Sequence, residues 1–245
     1  MRMIRHLLKL LYPPVCPICD GVGEQMLTDD GVGRICEDCA KKLPRVESPY
    51  CMRCGKPLGS LREHREYCED CMRGSHAFTQ GRAAFVYRGE LVGTMHRLKY
   101  SNRRDYAPVL AREAYQMHAD WIKRIAPEAI LPVPLHPIRQ RERGYNQALL
   151  LAREISRLSG IPLDDKLLLR VEYTQKQRTL DPAQRKNNLK NAFQTSRKIV
   201  QLSRVLLIDD IYTTGSTADA ATQALRAAGI RDVYLLCICT GGEVQ

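Results

Sequence analysis

Eight cysteines in the first 71 residues constrain this chain more than any other feature it carries. They form four Cys-x-x-Cys pairs: Cys16/Cys19, Cys36/Cys39, Cys51/Cys54 and Cys68/Cys71. Sixteen residues separate the first two pairs and thirteen the last two, so the arrangement repeats after about 34 residues. Two thiolates on one tight turn can reach one tetrahedral ion, and a second such turn completes a four-sulfur site. The spacing therefore predicts two zinc ribbons in tandem. A disulfide framework would need an oxidising compartment, for which the sequence carries no signal. A redox dithiol would use one pair rather than four, and an iron–sulfur cluster suits the symmetric pairs less well. The repeat favours sequential pairing, first with second and third with fourth, and the spacing leaves a cross-braced alternative open. His64 is read as a surface residue, because four cysteines already complete the second set.

Four sulfur ligands leave no position for a water molecule, so both metals are expected to be structural rather than hydrolytic. A segment this poor in large apolar side chains depends on its metals to fold. Charge supports a division of the chain. Residues 1–80 carry 12 Lys+Arg against 11 Asp+Glu, and residues 81–245 carry 26 against 16. Within the second part, residues 139–204 hold 15 basic and 6 acidic side chains. Such a stretch suits a polyanion, either nucleic acid or a phosphorylated small molecule, and is equally compatible with a solvated basic surface. Two thiolate-ligated zinc ions would make the ribbon segment net negative, which argues against the ribbons alone gripping nucleic acid.

Residues 1–12 place Ile4, Leu7, Leu8 and Leu11 at helical spacing, interrupted by His6 and Lys9 and stopped by Pro13–Pro14. This reads as a short amphipathic helix rather than a secretion signal, since no small-residue cleavage site follows. No apolar run approaches the ~18 residues of a membrane span. A cytoplasmic protein that is not integral to a membrane is expected. The organisation is then a helix over 1–12, a double zinc ribbon over 13–75 and an α/β domain over 81–245.

In that domain, strands are expected at 83–89, 129–134, 167–173, 203–210 and 232–239. Helices are expected at 90–100, 105–125, 147–160, 181–191 and 216–228. Alternation of this kind implies a mostly parallel sheet covered on both faces, with ligands held beyond the carboxyl ends of its strands. Cys237 and Cys239, two apart in an apolar run, are read as buried structural thiols on one side of the last strand.

One such strand end is distinctive. The apolar run from Val205 to Ile208 stops at Asp209 and Asp210, and Thr213-Thr214-Gly215-Ser216-Thr217 then opens a helix. Backbone N–H groups at a helix start, with Gly215 allowing close approach, suit a phosphate dianion. The hydroxyls of Thr213, Thr214, Ser216 and Thr217 add donors. Phosphate beside two carboxylates would be repelled unless something lay between them. A ribose resolves this, its hydroxyls donating to Asp209 and Asp210 while its 5′-phosphate sits in the turn. The loop lacks the Lys and first Gly of a Walker motif.

VLLIDDIYTTGST resembles the 5-phosphoribosyl-1-pyrophosphate (PRPP) binding motif of type I phosphoribosyltransferases. With LPVPLHPIRQRERGYNQALLLA (131–152), LKY (98–100), RTLDPAQRKNNLKNAF (178–193) and the two ribbons, the whole chain resembles the ComF family of competence proteins. The resemblance implies a type I phosphoribosyltransferase-like parallel sheet, α/β in class and five-stranded, behind an N-terminal double zinc-ribbon module. It implies PRPP with magnesium as ligand, and Asp209 and Asp210 as the catalytic, ribose-orienting acids. The loop after strand 129–134 would face the pyrophosphate, and residues 174–187 would form a cover. Arg139, Arg141 and Arg143, with Lys176 and Arg178, are candidates for holding pyrophosphate or DNA. Tyr145 and Tyr173 are candidate stacking surfaces for single-stranded DNA. Partners implied by the family are single-stranded DNA and a competence helicase or DNA-uptake channel. Two readings stay open. One is a PRPP-binding protein of DNA uptake; the other is an active phosphoribosyltransferase of nucleotide metabolism with no DNA role. No acceptor is legible.

Overall fold

A computed structural model of the chain describes residues 14–23, 28, 32–59, 65–74, 76–172, 192–197 and 201–241. The expected 1–12 helix, the 181–191 helix, His64, Tyr173, Lys176 and Arg178 lie outside the described residues.

The sheet is built from the most apolar runs of the sequence. β1 (Gln80–Val86), β2 (Ala129–Pro132), β5 (Arg204–Tyr212) and β6 (Asp232–Thr240) pair in parallel in the order β1-β6-β5-β2. Among the described residues the sheet has four strands rather than the five expected, and one isolated parallel bridge joins Leu163 to Ile130 of β2. β5 is central and buried on both faces, as a run of Val, Leu and Ile requires in a sheet covered on two sides. Leu206 and Ile208 face a layer made by α3 (Glu90–Tyr100), α4 (Tyr106–Ile125) and α6 (Gln147–Ser159). Val205 and Leu207 face the opposite layer, where Ala218, Ala221 and Leu225 of α7 (Ser216–Ala227) pack. The period of two thus sends successive β5 side chains to different layers.

Some elements differ from expectation. The strand expected at 167–173 is only β3 (Leu168–Arg170), and it leaves the main sheet to pair antiparallel with β4 (Phe193–Thr195). β1 begins three residues before the expected strand, because Gly81 and Arg82 are buried against the ribbons. α5 (Pro137–Arg143), opened by Pro137 at its first position and closed by Gly144, was hidden by its lack of an apolar face. Cys237 and Cys239 are both buried, yet they do not share a side. Cys237 packs in the α7 layer, whereas Cys239 joins the helical layer with its register partner Ile211. The alternation breaks after the acids, so residues two apart part company there.

The ribbons pair sequentially. Cys16, Cys19, Cys36 and Cys39 form one cluster and Cys51, Cys54, Cys68 and Cys71 the other, with the sulfurs of each cluster within 4.8 Å of one another. A tetrahedral ion with sulfur ligands at about 2.3 Å sets its sulfurs about 3.8 Å apart. Sγ distances of 3.9 Å for Cys19–Cys36 and 3.6 Å for Cys54–Cys68 match that edge. The two clusters fit two structural zinc sites. Short helices α1 (Glu37–Lys42) and α2 (Glu69–Arg73) start directly after Cys36 and Cys68.

Neither ribbon stands apart from the domain. The first docks on α3, where Thr94 donates to Pro17 O at 2.8 Å and Arg97 to Ile18 O at 2.9 Å. Asp20 accepts from Arg103 at 2.8 Å and from the Tyr106 hydroxyl. The second docks on β1. There Gly55 sits at φ +75°, and a Cβ on it would stand 2.8 Å from Arg82 Cα. Among the described residues, no helix is long and apolar enough to cross a membrane.

Candidate functional site

Asp209 and Asp210 lie near the carboxyl end of β5, just before its last residues Ile211 and Tyr212, and the alternation of the strand sends them to different neighbours. Asp210 meets Lys99 of α3, Nζ to Oδ2 at 2.8 Å, with both side chains largely covered. Asp209 Oδ1 accepts the Asp210 N–H at 2.8 Å. Burial and the Asp210 charge push the Asp209 carboxyl up to about 7, although the Asp210 N–H, Lys99 and Arg170 pull the other way. Burial works to lower the Lys99 pKa, but the Asp210 carboxylate outweighs it and the net shift is upward. The acid pair is therefore one in which a single negative charge is readily held and the second is costly.

Beyond Tyr212 the chain turns into α7. Thr213 and Thr214 are exposed, and the Thr214 hydroxyl lies 2.9 Å from that of Ser216. Gly215, at φ +80°, caps the helix without any side-chain capping bond. The first N–H groups of α7 and four hydroxyls, on Thr213, Thr214, Ser216 and Thr217, thus surround one turn.

Next to Lys99 opens a cleft of about 580 Å³, lined by Lys99, Tyr100, Asn102, Arg104, Arg139 and Arg143, with Glu142 the one acid. Arg139 and Arg143 are four apart on α5 and share the face that lines it. Arg141, expected to act with them, is exposed and outside the lining. Arg143 stacks over Tyr100 at 5.1 Å, and Tyr100 is 54% exposed. Tyr145 is not a stacking surface. It is buried, its hydroxyl donates to Leu98 O, and Arg104 covers its ring at 4.5 Å.

Sequence reasoning assigned no role to Lys99, Tyr100, Arg104 or Arg170. Lys99 and Tyr100 lie in the LKY segment, which was legible only as a family likeness. Arg170 comes from the stray strand β3. Burial and Arg139 depress its pKa while Asp209 opposes them, which sets it near both site elements.

Two four-sulfur clusters, joined to a parallel sheet with paired acids near the end of a central strand, define a double-zinc-ribbon protein of the α/β class. The double zinc ribbon domain family model matches residues 7–72. Competence protein F of Haemophilus influenzae is 35% identical over 207 residues, spanning 82% of this chain and 88% of that protein. DNA utilization protein YhgH of Escherichia coli (strain K12) is 30% identical over 233 residues, or 94% and 98%. Competence protein ComFC of Bacillus subtilis (strain 168) is 26% identical over 234 residues, or 89% and 91%. The chain belongs to the ComF family of competence and DNA-utilization proteins. Among solved structures, a purine phosphoribosyltransferase from Pyrococcus horikoshii Ot3 aligns at TM-score 0.36 and 16% identity, over 56% of this chain and 77% of that one. The glutamine PRPP amidotransferase from B. subtilis aligns at 0.40 and 19%, over 58% of this chain and 30% of its own length.

Proposed function

We propose that this protein binds PRPP at residues 209–217 and acts, in the cytoplasm, in the uptake or use of external DNA. The observation that carries the reading is the sequence of charges along β5 and into α7. Two carboxylates, only one of them countered by Lys99, stand immediately before a turn rich in N–H and hydroxyl donors. A ribose 5-phosphate satisfies both halves. Its ring hydroxyls donate to Asp209 and Asp210, and its phosphate accepts from the 213–217 turn. The pyrophosphate then extends toward the cleft, where Arg139 and Arg143 offset its charge.

Magnesium is the expected companion of a diphosphate, and hard carboxylate oxygens such as those of Asp209 and Asp210 suit it. When bound, it would neutralise charge on the leaving pyrophosphate. In this reading the protein's own groups orient the ribose, anchor the 5-phosphate and balance the leaving group.

The same cleft supports contact with single-stranded DNA. Its four cations can track phosphates, and exposed Tyr100, rather than Tyr145, offers a face for a base. The names of the relatives, which concern competence and DNA utilization, support this over a purely metabolic role. A competence helicase or DNA-uptake channel is the partner this role implies. The second reading, an active phosphoribosyltransferase without a DNA role, is favoured by the size of the cleft beside the acids.

Calorimetric titration of the zinc-loaded protein with PRPP and magnesium tests the ligand. Binding that Asp210→Ala abolishes supports the assignment, and binding unchanged by it refutes the assignment. Affinity for single-stranded DNA that does not fall as salt rises would refute the electrostatic DNA contact. Release of pyrophosphate on addition of a nucleobase, without DNA binding, would establish the metabolic reading.

A further inference from the structure

The segment leaving the second ribbon runs directly behind the candidate phosphate turn. His76 follows Cys71 by five residues and uses both ring nitrogens. Nδ1 lies 2.9 Å from Asp219 Oδ2, and Nε2 lies 3.0 Å from the Tyr212 hydroxyl. The N–H of Ala77 donates to the other Asp219 oxygen at 2.7 Å, so both oxygens of that carboxylate are held by residues 76 and 77. A carboxylate can only accept, so Nδ1–H donates to Asp219, and in the neutral ring Nε2 accepts from the Tyr212 hydroxyl. Tyr212 is the last residue of β5 and Asp219 sits in the first turn of α7. The imidazole therefore ties together the two ends of the 213–218 turn.

The tie is also filled in by packing. The His76 side chain is 9% exposed, and Phe78 stacks on it with centroids 4.8 Å apart at 13°. Phe78 meets the Tyr212 ring edge-on at 6.2 Å. Lys56, from the second ribbon, lies 5.6 Å over that ring while paired with Asp70, the residue before Cys71. A Cβ at Gly215 would stand 2.7 Å from His76 Cε1. The glycine is thus required by the ribbon exit that stands behind it as well as by its positive φ. The first ribbon instead makes polar contacts to Thr94 and Arg97 of α3, to Arg103 and to Tyr106.

We propose that His76 is a positioning residue and that the second ribbon is the scaffold of the phosphate turn, so that metal loading at Cys51, Cys54, Cys68 and Cys71 sets the turn's geometry. The consequence for ligand affinity rests on the PRPP reading; the mechanical link does not. The two are tested separately. Hydrogen exchange of the 219–222 amides, the first that bond back into the turn, is measured with zinc content and PRPP titration on the zinc-loaded protein, on His76→Ala and on His76→Asn. Asn can still donate to Asp219 from the Nδ1 position. His76→Ala is expected to keep two zinc ions and native exchange in α4 and β1, while exchange of 219–222 accelerates roughly ten- to one-hundred-fold, the loss of hydrogen bonds to a charged group. His76→Asn should recover part of that protection. Cys71→Ser should lose one zinc ion and accelerate the same amides. Unchanged 219–222 exchange in His76→Ala, or acceleration spread evenly over the chain, overturns the proposal. Accelerated exchange with no PRPP binding by the unmutated protein leaves the scaffold standing and removes the PRPP reading instead.

Discussion

Gly215→Ala should be the most costly single methyl that can be added to this site, and its cost divides into two parts. The backbone part comes from φ +80°, a conformation that costs an L-residue about 1–2 kcal/mol. The packing part comes from three atoms. The new Cβ would stand 2.7 Å from His76 Cε1, 2.9 Å from Nδ1 and 2.8 Å from the Tyr212 hydroxyl. Forcing a methyl into a filled space costs typically about 1–3 kcal/mol. The sum is about 2–5 kcal/mol, measurable as a shift in the urea midpoint of the zinc-loaded protein. The two parts can be separated by repeating the substitution in His76→Ala. Removing the ring deletes two of the three close contacts and frees the Tyr212 hydroxyl to turn away. The cost of Gly215→Ala should then fall to the backbone part, leaving a coupling of about 1–3 kcal/mol between the two positions. An equal cost in both backgrounds would refute the packing argument, and a cost below about 0.5 kcal/mol would refute both parts.

Three further outcomes are expected. The Asp209 carboxyl is raised in the folded protein, so its charged form is disfavoured and stability falls as pH climbs from the unfolded value toward about 7. Between pH 6 and pH 8 the ligand-free protein should lose on the order of 1 kcal/mol that Asp209→Asn does not lose, by guanidinium unfolding at each pH; parallel losses in both would contradict the assignment. Lys99→Met strands the Asp210 carboxylate and should cost about 3 kcal/mol, most of it restored by adding Asp210→Asn. Thermal melting of the two single variants and the double variant measures this, and additive costs would show that the pair is not coupled. Within α5, Arg143→Ala should weaken PRPP binding while Arg141→Ala leaves it unchanged, because of these two arginines Arg143 alone lines the cleft; calorimetry that ranks them the other way would move the pyrophosphate elsewhere.

The parts legible in the sequence are those in which the chemistry is local. Four Cys-x-x-Cys pairs announce two tetrahedral sites; the repeat of spacing favoured sequential pairing and left a cross-braced one open, which the two clusters decide. Val205 to Thr217 reads as strand, acids, turn and helix because each step has its own short-range signature. What escaped was set by distant partners. Nothing around residue 170 says that β3 leaves the sheet, since its antiparallel partner is Phe193–Thr195. Cys237 and Cys239 look equivalent until the layers at the strand end are built. Tyr145 sits in a basic stretch yet spends its hydroxyl on Leu98, 47 residues away. Lys99 gains its meaning from Asp210, and His76 from Tyr212 and Asp219. A lone histidine just beyond a metal knuckle and an acid in a helix's first turn are each too common to single out.

The separation of those last partners along the chain has a consequence for the order in which the protein is made. His76 lies 136 residues before Tyr212 and 143 before Asp219. At about 5–20 residues per second, the second ribbon is complete on the order of ten seconds before its client turn leaves the ribosome. The ribbon must therefore acquire its ion and wait, with its docking face uncovered, for the last fifth of the chain. A shortage of zinc during synthesis would be written into the far end of the molecule, in a loop that binds no zinc itself.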